Sequence, residues 1–78
     1  MNSISFTAAF GNVDKTVEIT SVHGSGEGGL HLYVGGLYKG IFLKRIGVWE
    51  WLPQDEKKDD LTLTDRQILF DKVKEVWG

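Results

Sequence analysis

Apolar and polar residues alternate along the first two thirds of the chain and recur at helical spacing only near its end. Over residues 3–10, Ile4, Phe6, Ala8 and Phe10 fall on one side and Ser3, Ser5 and Thr7 on the other. Successive side chains of a strand point to opposite faces, so this period of two predicts a half-buried β-strand. Gly11-Asn12-Val13-Asp14 predicts a turn, because Gly, Asn and Asp tolerate the dihedrals of a chain reversal. Residues 15–22 alternate again, with Val17 and Ile19 set against Thr16, Glu18 and Thr20. The first two strands are therefore expected to form a hairpin.

A glycine-rich loop, residues 24–29, separates this hairpin from a third alternating segment, Leu30-His31-Leu32-Tyr33-Val34. Gly35-Gly36 then signals a two-residue reversal, since a type I′ turn needs positive φ at both central positions. That register sets Val34 opposite Leu37, Tyr33 opposite Tyr38 and Leu30 opposite Ile41. The fourth strand is expected to run to about residue 44 and the fifth from Val48 to Leu52. Between them, a two-residue turn at Ile46-Gly47 would place Trp49 and Trp51 on the side of Phe42 and Tyr38. A three-residue turn, Arg45-Ile46-Gly47 with Gly47 left-handed, would place them beside Leu43 and Ile41. A slip of one residue inverts every side chain. The three-residue turn is preferred because it gathers one apolar face from Leu30, Leu32, Val34, Leu37, Ile41, Leu43, Trp49 and Trp51. Lys39 is out of place on that face.

Pro53 ends the strands, and a charged segment, residues 54–60, follows. Thr64-Asp65-Arg66-Gln67 reads as a capping box, with Leu63 and Ile68 placed as a hydrophobic staple around it. Ile68, Leu69, Val73, Val76 and Trp77 then recur at helical spacing. Phe70 and Trp77 lie at the edge of this stripe and are expected to wrap the rim of the sheet. The fold class is α+β: an antiparallel β-meander of about five strands with one C-terminal helix packed on one face. The whole of 1–78 reads as a single domain, with the sheet over 3–52, a linker over 53–63 and the helix over 64–77.

Composition narrows the function classes. The chain has 78 residues, two His and no Cys, so neither a disulfide nor a thiolate metal site can brace it. Residues 1–52 carry four Lys/Arg and four Asp/Glu, and residues 53–78 carry five and seven, for a net charge of -2. Neither part has the basic excess of a nucleic-acid binder. No apolar run is long enough for a membrane span, and the N-terminal residues lack the basic start of a signal peptide. A cytoplasmic protein without membrane association is the expectation, weighted also by the lack of Cys.

Three motifs invite chemistry. Gly24-x-Gly26-x-x-Gly29 matches the dinucleotide fingerprint in letters, but a strand follows where a helix N-terminus is required, so no nucleotide or other cofactor is expected. His23-Gly24-Ser25 lacks the glycine two residues before the serine that a nucleophile elbow needs. A small enzyme using His23 or His31 near the glycine loop is retained as the alternative, and it requires a carboxylate oriented on one of them. The aromatic strip of the outer sheet face is the better candidate. Tyr33 and Tyr38 oppose each other there, and the expected register adds His31, Phe42 and Lys44. One helix covers one face, so this strip is expected to be exposed, and exposed apolar patches mark contact sites. The favoured function is a non-catalytic interaction module that binds a protein partner or forms a homodimer. Single-stranded nucleic acid stacking on the same aromatics is the least favoured reading, given the charge balance.

Overall fold

The computed structural model describes residues 3–21 and 29–78. His23 and most of the glycine-rich loop therefore lie outside the described residues. The strands are β1 (Ser3–Phe10), β2 (Val13–Ser21), β3 (Leu30–Val34), β4 (Leu37–Arg45) and β5 (Val48–Pro53). They form one antiparallel sheet in the order β1-β2-β3-β4-β5, so each strand pairs with its neighbours in sequence. A short 3-10 turn (Glu56–Lys58) leads to a single helix, α1 (Leu63–Trp77). The expected meander with one helix is the observed fold.

The alternation in β1, β2 and β3 works as read. Ile4 pairs with Ile19 and Phe6 with Val17, and these in turn lie beside Leu32 and Val34 of β3. Val17, Ile19, Leu30 and Leu32 are fully buried under α1, which contributes Leu69 and Val73. Phe6, Phe10, Phe70 and Trp77 pack at the margin of this core, so the helix residues at the edge of the stripe do wrap the rim. Gly35 and Gly36 have φ of 59° and 81°, as a type I′ turn demands.

Two features of β4 and β5 depart from expectation. Tyr33 pairs with Tyr38, but Leu32 pairs with Gly40, so Lys39 is the extra residue of a β-bulge. The bulge shifts register by one residue. Leu30 consequently faces Phe42 rather than Ile41. Phe42 turns inward and is fully buried, while Ile41 and Leu43 turn outward. Lys39, at the bulge, reaches Asp60 at 3.4 Å, which gives its ammonium a partner at the mouth of the core. Leu37 ends up 66% exposed beyond the reach of the helix.

The second departure is the turn into β5. Arg45 pairs with Val48, so the turn holds two residues, Ile46 and Gly47, and not three. Ile46 adopts φ of 49° and Gly47 75°. A β-branched residue is strained there by roughly 1–2 kcal/mol. Burial of a large apolar side chain is worth about 1.5–3 kcal/mol, and this register sets Trp49 and Trp51 on the side of Phe42. Core burial at two positions outweighs strain at one. The bulge and the shorter turn each invert the facing, so the tryptophans lie beneath the helix as the sequence suggested, although the residues beside them differ.

The helix starts earlier than its sequence signature implied. Thr62 is the N-cap: its Oγ1 accepts from the Asp65 N–H at 3.1 Å, and the Asp65 carboxylate accepts from the Thr62 N–H at 3.0 Å. Thr62 and Thr64 both stand three residues before a side chain able to reach back, and the pair ending in an anionic carboxylate prevails. The buried residue before this cap is Leu61, whereas Leu63 is exposed and makes no staple. At the other end, Lys44 Nζ donates to the Gly78 carbonyl at 2.8 Å, where the helix dipole favours a cation. No helix among the described residues is long and apolar enough to cross a membrane.

Asp59 ties this end of the structure together. Its Oδ2 accepts from Trp51 Nε1 at 3.1 Å and from Arg66 Nη2 at 2.9 Å, and its Oδ1 accepts from the Leu61 N–H at 3.2 Å. The Asp59 side chain is only 7% exposed. Strand β5, the connecting segment and α1 thus share one buried carboxylate.

Two outcomes are expected in denaturant unfolding. Ile46→Asn raises stability by about 1 kcal/mol, because Asn visits positive φ more readily and the exposed isoleucine gives up no packing. Thr62→Ala lowers stability by about 1 kcal/mol, and Thr64→Ala changes it by under about half of that.

Candidate functional site

The helix leaves the second face of the sheet uncovered, and that face has two halves. On β1 and β2 it presents Ser3, Ser5 and Thr7 beside Thr16, Glu18 and Thr20. On β3, β4 and β5 it presents His31 and Tyr33, then Tyr38, Ile41 and Leu43, then Leu52 and Glu50. Directly paired residues share a face, so the pairs Tyr33–Tyr38, His31–Ile41 and Ile41–Leu52 run as one band across the three strands. The sequence of β4 makes this band. Downstream of the bulge its outward positions are odd-numbered, and they hold Ile41 and Leu43.

The rings in the band touch. Tyr33 and Tyr38 have centroids 5.4 Å apart, and His31 and Tyr38 5.6 Å, both tilted. Such pairs add about 0.5–1.5 kcal/mol beyond area burial and hold the rings in place. Arg45 and Glu50 form an exposed ion pair of 3.5 Å at the far end. Val48, paired with Arg45, is 62% exposed there.

Of the five residues singled out from sequence, the structure brings three together: His31, Tyr33 and Tyr38. Phe42 and Lys44 are on the opposite face. Phe42 is buried with its ring 5.0 Å from Trp51 and 5.2 Å from Phe70, the latter edge-on. Lys44 lies over the Trp49 ring at 5.7 Å and serves the helix C-terminus. The physical reason is the bulge, since both residues lie downstream of Lys39. Sequence reasoning missed Ile41, Leu43 and Leu52. A glycine inside a strand is a bulge signal, and Lys39-Gly40, with its misplaced lysine, carries that signal.

The catalytic alternative finds no added support. His31 sits in the aromatic band, against Tyr38. His23 falls outside the described residues. Among the described residues, no three His, Asp or Glu converge on a point where a metal could sit. No protein-family model, curated protein or solved structure matches the chain.

The assignment of faces has a direct check. Phe42→Ala is expected to cost about 3–5 kcal/mol in unfolding free energy, as for a fully buried aromatic. Ile41→Thr is expected to cost under about 1.5 kcal/mol, because Thr suits an outward strand position. Equal losses at the two sites would contradict the bulged register.

Proposed function

We propose that this chain is a non-catalytic protein-interaction module that acts through the β3–β5 half of its outer sheet face. The observation that supports this reading is the uneven make-up of the face. One half carries Ser, Thr and Glu, as a solvated sheet surface does, and the other carries Tyr33, Tyr38, Ile41, Leu43 and Leu52 with no element over them. These five side chains are half-buried among themselves and keep part of their apolar surface in contact with water, and contiguous apolar surface left accessible marks a contact site.

A second copy of the chain is the partner this face fits. Two such bands packed face to face, with their strands about 30° apart, would place aromatic and aliphatic side chains in one layer and leave both polar halves wet. Residues Glu50 and Arg45 at the rim supply both signs of charge, so a two-fold arrangement can set them against each other without like-charge contact.

The size of the band sets the strength. Three strands about 4.8 Å apart, each lending about five residues at about 3.4 Å, span roughly 14 by 17 Å. That footprint is well under the ~800 Å² per partner of a standard interface, so association is weak and concentration-dependent.

Light scattering over a concentration series is the test. The mass is expected to rise from 8.8 kDa toward twice that value with concentration. Tyr33→Ala combined with Tyr38→Ala, or Ile41→Glu alone, is expected to hold the chain at the monomer mass with its circular dichroism unchanged. A wild-type chain that stays monomeric into the millimolar range overturns the second copy as partner.

A further inference from the structure

A different surface lies at the edge of the sheet. Strand β5 is last in the strand order, so the backbone groups on its outer side have no ladder partner. A cavity of about 710 Å³ opens there between β5 and the first turns of α1. On the strand side it is lined by Glu50, Trp51 and Leu52, and on the helix side by Leu63, Arg66, Gln67 and Phe70. Consecutive strand residues point to opposite faces. Three in a row can border one space only if that space runs alongside the strand's edge, where another strand would lie.

We propose that this groove binds an extended peptide segment, which adds to β5 as a further strand and sets an apolar side chain between Trp51, Leu63 and Phe70. Strand addition uses the edge's own N–H and C=O groups for affinity and a side-chain pocket for selectivity. Trp51, Leu63 and Phe70 form the apolar part of the groove, beside the polar Arg66 and Gln67. Leu63, the first residue of α1, is 80% exposed, an aliphatic side chain held out at the groove's mouth.

The walls are fixed before any peptide arrives. Asp59 Oδ2 holds Trp51 Nε1 and Arg66 Nη2 at once, one on the strand wall and one on the helix wall. Phe42 supports both aromatic members, with its ring 5.0 Å from Trp51 and 5.2 Å from Phe70. A preformed groove spares the ordering cost that weakens flexible sites. Charge sets the peptide's character. Glu50 is paired with Arg45 and Arg66 with Asp59, so the groove is close to neutral and suits residues without charge. Pro53 limits the pairing to Val48 through Leu52, so about five peptide residues engage. A β1 strand from a second copy would meet β5 head to tail and leave the assembly open-ended, which disfavours it as the occupant.

A phage-displayed random heptapeptide library panned against the chain supplies the probe, and selected peptides are then synthesised. The work is done on wild type and on Ile41→Glu, so that loss of outer-face association is read separately from groove binding. Selected peptides are expected to carry apolar residues at alternate positions and to shift the amide resonances of Val48 through Leu52 and of Leu63. Leu63→Glu, an exposed change that leaves the core intact, is expected to weaken binding at least about tenfold. N-methylation of a ladder-facing peptide amide is expected to do the same. The proposal is overturned if no peptide is selected, if shifts map to β1 or to Tyr33, Tyr38 and Ile41 of the outer face, or if either change leaves affinity unaltered. It is likewise overturned if rising concentration of the Ile41→Glu chain alone shifts the β5 amides, since a second copy would then be the occupant.

Discussion

The structure turns on the absence of a side chain at Gly40. With φ of 147°, this residue lies against strand β5, paired with Pro53. A Cβ there would press on the Leu52 carbonyl and lie 2.8 Å from both Pro53 Cα and the Trp51 ring. Only glycine admits that approach together with that backbone angle. The bulge at Lys39 and Gly40 is thereby fixed, and with it the facing of everything downstream. Phe42 enters the core, Ile41 and Leu43 face out, and the outer band and the edge groove both follow. A single missing carbon thus positions both the outer band and the groove at the sheet's edge.

The second constraint is the shared carboxylate of Asp59. A 15-residue helix is marginal on its own in water, so α1 depends on where it is anchored. Its apolar stripe supplies the energy, through Leu69 and Val73 in the core. Apolar contact alone, however, permits sliding along the sheet. Asp59 limits that freedom by binding a strand tryptophan, a helix arginine and the backbone of the segment between them. A buried carboxylate is costly to desolvate, and three donors with good geometry offset that cost. The helix is pinned at its start by Asp59 and at its end by Lys44 on the Gly78 carbonyl.

How much of this was legible in the sequence depends on position relative to the bulge. Upstream, the alternation of β1, β2 and β3 and the Gly35-Gly36 turn gave correct pairs as far as Tyr33 and Tyr38, because nothing there interrupts the period of two. Hence His31, Tyr33 and Tyr38 fall on the face expected of them. Downstream, two one-residue shifts break the period of two, and local signals at Lys39-Gly40 and Ile46-Gly47 do not decide between registers. The bulge lies at a glycine that alternation alone skips over, and the Ile46-Gly47 turn uses a residue whose intrinsic preference argues against it. Each choice is made by burial across the whole core, a term no window of sequence contains. Phe42 and Lys44 were misassigned for that reason, and Ile41, Leu43 and Leu52 were overlooked. The helix was found by its spacing. Its start was missed because two threonines two residues apart both satisfy the capping pattern.

The separation of the faces also sorts the chain's chromophores. All three tryptophans belong to the helix side: Trp49 is buried, and Trp51 and Trp77 pack against the core. Both tyrosines stand on the uncovered side, in ring contact with each other. Indole emission therefore reports whether α1 is docked, and phenol absorbance reports what covers the opposite surface. The native sequence carries an independent optical probe on each side of one sheet, so the two surfaces can be followed separately without attaching a label.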